Sequence, residues 1–133
     1  MGQYFVLINK TKKQYVCPWC LGGVAKLWEW CAGNHSAVFP YLLRRSSGLG
    51  GGDVASPEIY PLAGSWVGDE ISLVGDYDES HDFDTAFSNY ENISVALGEE
   101  FNRFINYEDL LLEVRLCSGC SGVELDTLDE ITV

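Results

Sequence analysis

Two pairs of cysteines in this chain share one spacing: Cys17-Pro18-Trp19-Cys20 and Cys117-Ser118-Gly119-Cys120. A Cys-x-x-Cys turn offers two thiolates from one tight loop of backbone, and two such turns complete the tetrahedron that zinc prefers. Pro18 stiffens the first turn, while Gly119 and Gly122 leave the second free to bend. The interval between the pairs is far longer than in a compact zinc ribbon, so spacing alone does not bring them together. Two other readings stay open: reduced thiols that merely pack, and a redox couple at Cys17 and Cys20. The couple would be expected at a strand-to-helix turn of a βαβ unit, which the elements around Cys17 do not suggest. With zinc at Cys17, Cys20, Cys117 and Cys120, all four positions are thiolates. The metal is then structural and joins the two ends of the chain. The fifth cysteine, Cys31, sits in the apolar stretch LWEWCAG and is expected to be a buried free thiol.

The second concentration of reactive groups is DYDESHDFD, which sets Asp76, Asp78, Glu79, Asp82 and Asp84 around His81. On a calcium-loop template, Asp76, Asp78, Ser80 and Asp82 fall at positions one, three, five and seven. His81 and Phe87 then stand where the glycine and the bidentate glutamate belong. A solvated acidic loop is the better expectation, with contact to a divalent cation or to a basic partner through Asp76, Asp78, Glu79, Asp82 and Asp84 as the other reading. Acid–base catalysis would need Asp69, Asp76, Asp78 or His81 to converge with Trp66 in a pocket, and their spacing selects no reaction. No catalytic residue is assigned. His35 reads as a helix-entry residue. GLGGGD lacks the Lys-Ser/Thr of a phosphate-binding loop.

Charge separates along the chain. The net charge is −12 over 133 residues, yet residues 1–45 carry six basic side chains and one acidic, against two and nineteen in residues 46–133. The two parts should attract each other, and the surface left over should be acidic. Such a surface disfavours direct nucleic-acid binding and anionic membranes and favours basic proteins. Lys10, Lys12, Lys13, Arg44 and Arg45 are the material for any local basic patch. No apolar run has the roughly 20 residues of a membrane-spanning helix. The opening places its apolar stretch before its lysines, the reverse of a secretory leader, and a cytoplasmic protein is expected.

The elements that must position these groups follow from pattern. QYFVLIN and KQYVC, separated by a lysine-rich turn, predict an antiparallel hairpin that delivers Cys17 at its end. VAKLWEWCAG predicts a helix burying Val24, Leu27, Trp28 and Cys31 and ending at Gly33. HSAVFPYLLRRS predicts a second short helix, kinked by Pro40 or holding it in the first turn. A flexible loop is expected over about 46–64, where Gly, Ser and Pro dominate. EISLV predicts a central strand running into the acidic loop, and DFDTAFSNYENI is ambiguous. ISVALGEEFNRFI predicts a helix interrupted by Gly98, and residues 111–116 a strand leading to Cys117. The acidic tail VELDTLDEITV reads as a last strand or a frayed end.

The opening MGQYFVLINKTKKQYV, the following GGVAKLWEW, and GSWVGDEISLVGDYDES together resemble a family of small uncharacterised proteins. Its members begin MGQYY, continue with an asparagine and a lysine-rich turn, and share a W-[AV]-G-D-x-I-x-x-V-G-D-Y-D-E segment. The likeness covers most of residues 1–30 and 64–80, with an N-I-S helix start near Asn92 in support. It implies no particular activity.

These readings combine into one expectation: a single α+β domain over residues 1–133, with a small, mostly antiparallel sheet, helices on one face and a zinc clasp between the terminal segments. The function expected is a non-enzymatic, acidic protein-interaction module. One alternative is an inhibitor whose carboxylates imitate nucleic-acid phosphates in the cleft of a basic enzyme. The other is a small metal-dependent hydrolase using the Asp76–Asp84 loop.

Overall fold

The computed structural model describes residues 2–46, 53–54 and 56–121. Its architecture is α+β, built on a four-stranded mixed sheet. Strand β1 (Phe5–Asn9) pairs antiparallel with β2 (Gln14–Val16) through the predicted hairpin. The turn between them is closed by Asn9, whose Oδ1 accepts the Lys12 N–H at 2.9 Å, a local bond that asparagine makes readily. β3 (Ile71–Gly75) pairs antiparallel with the other side of β1, and the two-residue β4 (Glu91–Asn92) runs parallel to β2. The order is β3-β1-β2-β4, so EISLV forms an edge strand rather than the central one expected.

Among the described residues there are five α-helices, α1 (Leu27–Ala32), α2 (Val38–Leu43), α3 (Asp82–Asn89), α4 (Ser94–Ile105) and the single turn α5 (Ser118–Ser121), together with four short 3-10 turns. The expectation of helices on one face holds only for part of them. Val6, Leu7 and Ile8 are all fully buried, although successive residues of a strand point to opposite faces. Leu7 joins the core made by Trp30, Val38, Leu42, Trp66, Leu97 and Phe101, on the side of α1, α2 and α4. Val6 and Ile8 join Tyr15, Val74, Ala86 and the first cysteine pair, with α3 laid over them. The unbroken FVLI run was the signal, since a strand covered on both faces does not alternate.

Helix α1 ends at Gly33 as expected, but it buries a different face. Trp30 is 2% exposed and donates its indole N–H to Phe5 O, whereas Trp28 is 66% exposed and Val24, Leu27 and Cys31 are exposed with it. The Cys31 thiol is therefore a surface group. At six residues the helix is too short for its periodicity to fix a face, and the indole's reach to β1 decides the rotation. Pro40 lies in the first turn of α2, where its missing N–H costs no helical bond. Gly98 does not break α4. A Cβ there would come within 2.5 Å of Val114 and 2.8 Å of Leu21, so the glycine lets the C-terminal segment and the first cysteine turn lie against the helix.

Residues 111–117 run extended without joining the sheet, contrary to the expected strand. Their backbone partners are of another kind: the Asn102 side-chain amide bonds both N–H and C=O of Leu112, at 2.8 and 2.9 Å, and Arg115 N–H donates to Cys20 O at 2.9 Å. The chain is thereby guided along α4 to the first cysteine turn. Pro57–Ile59 forms one 3-10 turn within the expected long loop. The rest of that expectation at 47–52 and 55, and that of a final strand at the acidic tail, lie outside the described residues. No helix among the described residues is long and apolar enough to cross a membrane.

Candidate metal centre

The four cysteine sulfurs come together. Cys17 follows β2 directly, and Pro18 opens a 3-10 turn, Trp19–Leu21, that carries Cys20 back toward it. Gly22, at φ 76°, closes this turn with its N–H on Trp19 O, and Gly23 N–H reaches Pro18 O at 2.9 Å. The second pair spans the start of α5, with Cys117 just before it and Cys120 on it, and Cys120 N–H donates to Cys117 O. Gly119 has ordinary backbone angles, and a Cβ there would meet nothing, so helical winding rather than glycine freedom makes the second turn. Gly122 lies outside the described residues. The Arg115 bond to Cys20 O and a bond from Cys117 N–H to Cys20 Sγ at 3.4 Å join the two turns.

All four Sγ atoms lie within 4.8 Å of one another, and Cys17 and Cys117 are 3.7 Å apart. A Zn–S bond of about 2.3 Å in a regular tetrahedron places sulfurs about 3.8 Å apart. The spacing fits an ion at the centre and is far too long for a disulfide, and every cysteine is free. Cys17 and Cys20 are fully buried, Cys117 and Cys120 half-buried. Four thiols at this range share their protons unequally. Hydrogen bonds to Cys117, then to Cys120 and Cys20, together with burial, push the Cys17 thiol up. The bonds Cys117 makes with Cys120 and Cys17 hold it below the ordinary thiol range. Cys20 comes to about 7, the raising effect of Cys117 being outweighed by bonds from Cys120, Cys17 and the Cys117 N–H. A cation would take the place of the shared protons.

Three residues around the sulfurs carry no sequence signal of a place beside the cysteines. Tyr15 places its hydroxyl 3.3 Å from Cys120 Sγ, and burial, then this contact, raises its own pKa. Asn92 directs Nδ2 to Cys20 Sγ at 3.7 Å, and Ser94 Oγ accepts the Cys17 N–H at 2.7 Å. The N-I-S stretch was visible only as a helix start. That its side chains face Cys17 and Cys20 depends on β4 lying beside β2.

The acidic loop is built differently. Asp76, Asp78, Glu79 and Asp84 are exposed, and Asp82 opens α3 half-buried. Asp76 and Tyr4 exchange backbone and side-chain bonds, and Asp78 is held below the usual carboxylate range by the Ser80 hydroxyl and N–H. Asp82 pairs with Lys10 at 3.4 Å. Among the described residues, the cysteine quartet is the one group of three or more His, Cys, Asp or Glu ligand atoms that converges. The residues of the hydrolase alternative do not gather either. Trp66 is wholly buried with its N–H on Gln14, Asp69 is bound to Asn9 and Lys12, and His81 sits exposed at the start of α3. A cavity of about 510 Å³ lies elsewhere, between α2 and α4, beside Tyr41, Arg44 and Phe104.

Charge separation along the sequence becomes contact in the fold. The described ion pairs are Lys10 with Glu70 and Asp82, Lys12 with Asp69, and Arg44 with Asp53, each joining the basic part of the chain to the acidic part. Lys10, Lys12 and Arg44, three of the five residues offered for a basic patch, are thus drawn into pairs, while Lys13 lies over the Tyr90 ring. His35 stands at a helix entrance as expected, in the 3-10 turn Asn34–Ala37 that leads into α2, and it is buried there: its ring packs 4.5 Å from Trp30 and against Gly23 and Gly33, where any Cβ would collide with it. No family model, curated protein or solved structure matches the chain.

Proposed function

We propose that this protein is a non-enzymatic, acidic interaction module whose terminal segments are held by a structural zinc ion on Cys17, Cys20, Cys117 and Cys120. The observation that carries the zinc is the approach of four cysteine sulfurs to within 4.8 Å of one another, which fits a tetrahedron of thiolates around the ion. No position remains for water or substrate, so the ion's contribution is to folding. The interaction half of the proposal rests on the exposed carboxylates of Asp76, Asp78, Glu79 and Asp84, with Asp82 at their edge. These are presented between an edge strand and a helix, and a basic protein is the partner their charge fits.

Native mass spectrometry of protein purified without chelator or a metal-binding tag tests the first half. One zinc per chain, lost on denaturing alkylation of the cysteines, is expected; a metal-free folded chain with five reactive thiols overturns it. The second half is tested by titrating a lysine-rich peptide at low and high salt. Binding that weakens with salt and is lost when Asp76, Asp78 and Glu79 become Asn, Asn and Gln is expected. Equal binding by wild type and variant overturns the role of the loop.

A further inference from the structure

Tyr15 and Asn92 are register partners in the parallel β2–β4 pair, side by side on one face of the sheet. Each reaches a sulfur, and not of the same turn: the Tyr15 hydroxyl meets Cys120, and the Asn92 amide meets Cys20. Against a thiolate, which has no proton, both must act as donors. The Asn92 amide has its orientation fixed from behind. Its Oδ1 accepts the Ser94 N–H at 2.9 Å and the Ser94 hydroxyl, leaving Nδ2 for Cys20. The same hydroxyl oxygen accepts Cys17 N–H, so the circuit returns to the first cysteine turn. Tyr15 is 3% exposed, and its ring is held 4.8 Å from that of Phe87 on α3.

Four thiolates on a divalent ion leave a net charge of −2 in a half-closed site, and they repel one another. The donors that touch them are neutral: Tyr15, Asn92 and the Cys117 N–H. Such bonds draw charge from sulfur and fix its direction toward the metal. Resting on the zinc reading above, we infer that the β2–β4 pair is the outer shell of the metal centre. Tyr15 and Asn92 are positioning residues, one for each cysteine turn, and together they set how tightly the ion is held. The short parallel pairing therefore has a use beyond the sheet, since it fixes the distance between the two donors.

The test uses the full chain, loaded with Co²⁺ for spectroscopy and with Zn²⁺ for competition against a chromophoric chelator. Tyr15→Phe and Asn92→Ala are each expected to weaken zinc by about 10–100-fold. Each should also move the sulfur-to-cobalt charge-transfer band to lower energy, because a thiolate without its donor gives up an electron more readily. A purely structural role would leave that band in place. Tyr15→Phe keeps the ring and its packing, so it decides the matter even if Asn92→Ala folds poorly. Wild-type cobalt binding with an unchanged band and affinity in Tyr15→Phe overturns the inference alone. A wild-type chain that takes up neither cobalt nor zinc overturns the zinc reading and the inference with it.

Discussion

The two faces of the sheet are filled with different material. On the Leu7 side the core is hydrocarbon and aromatic ring: Trp30, Trp66, Leu42, Val38, Leu97 and Phe101, with Tyr41 in an edge-to-face contact with Phe101. On the Val6 and Ile8 side the buried set is smaller, and two of its members are the cysteines Cys17 and Cys20. Hydrocarbon burial stabilises a fold by itself, at about 25 cal/mol per Å² of apolar surface. A cluster of thiols adds little unless something binds it. The first face should hold without help, while on the proposed zinc reading the second draws its strength from the ion and from the chain ends that the ion joins.

The sharpest way to break this contrast is to remove one ligand. Cys17→Ser or Cys120→Ser should lower stability by about 4 kcal/mol at a zinc concentration a thousandfold above the dissociation constant, and excess chelator should do the same to the wild type. Urea denaturation with and without chelator measures both, and a serine variant that remains as stable as wild type and still chelator-sensitive would contradict the site.

On the hydrocarbon face, Leu97→Ala should cost about 3 kcal/mol through the cavity it leaves. That loss should add to the effect of chelator rather than replace it, because the two faces are separated by the sheet. Replacement, in the same denaturation series, would mean that Leu97 and the cysteine site are energetically coupled.

Gly98 lies at the seam, where α4 meets Leu21 of the first cysteine turn and Val114 of the C-terminal segment. Gly98→Ala gains about 1 kcal/mol of helix propensity but forces both neighbours away, for a net loss expected at about 1–2 kcal/mol. It should also weaken zinc binding, since both cysteine segments are displaced. Calorimetric melting and chelator competition on the one variant separate these effects.

The smallest effect concerns pH. Burial depresses the pKa of His35 below its ordinary 6.5. The unfolded chain therefore takes up a proton that the folded chain refuses once the pH drops below about 6.5. Stability from this group is complete above that value and is lost as pH falls, at no more than about 1.4 kcal/mol per pH unit. His35→Asn should show a shallower decline in urea midpoint between pH 7 and pH 5.5 than the wild type does; an unchanged slope would mean that His35 is protonated in the folded chain too.

Much of this is legible in the sequence. The lysine-rich hairpin, the stop of α1 at Gly33 and the helix from Ser94 are local matters of turn chemistry and period, and they stand where pattern put them. The face of α1 was not local. Val24, Leu27, Trp28 and Cys31 have the spacing of a buried stripe, yet Trp30 is the residue that finds Phe5 O and the core. Residues 111–116 have the composition of a strand and lack only a neighbour with free backbone groups, and Asn102 and Cys20 take that neighbour's place.

The sequence by itself determined the ligand type, the two tight turns and the separation of charge, because each depends on residues close together in the chain or on a simple count. Tertiary structure alone decided that Cys17 and Cys20 meet Cys117 and Cys120, that Tyr15 and Asn92 stand beside them, and that α3 covers the second face of the sheet. Approach between residues a hundred positions apart is set by packing, and here Gly98 allows it and the extended run to Cys117 completes it.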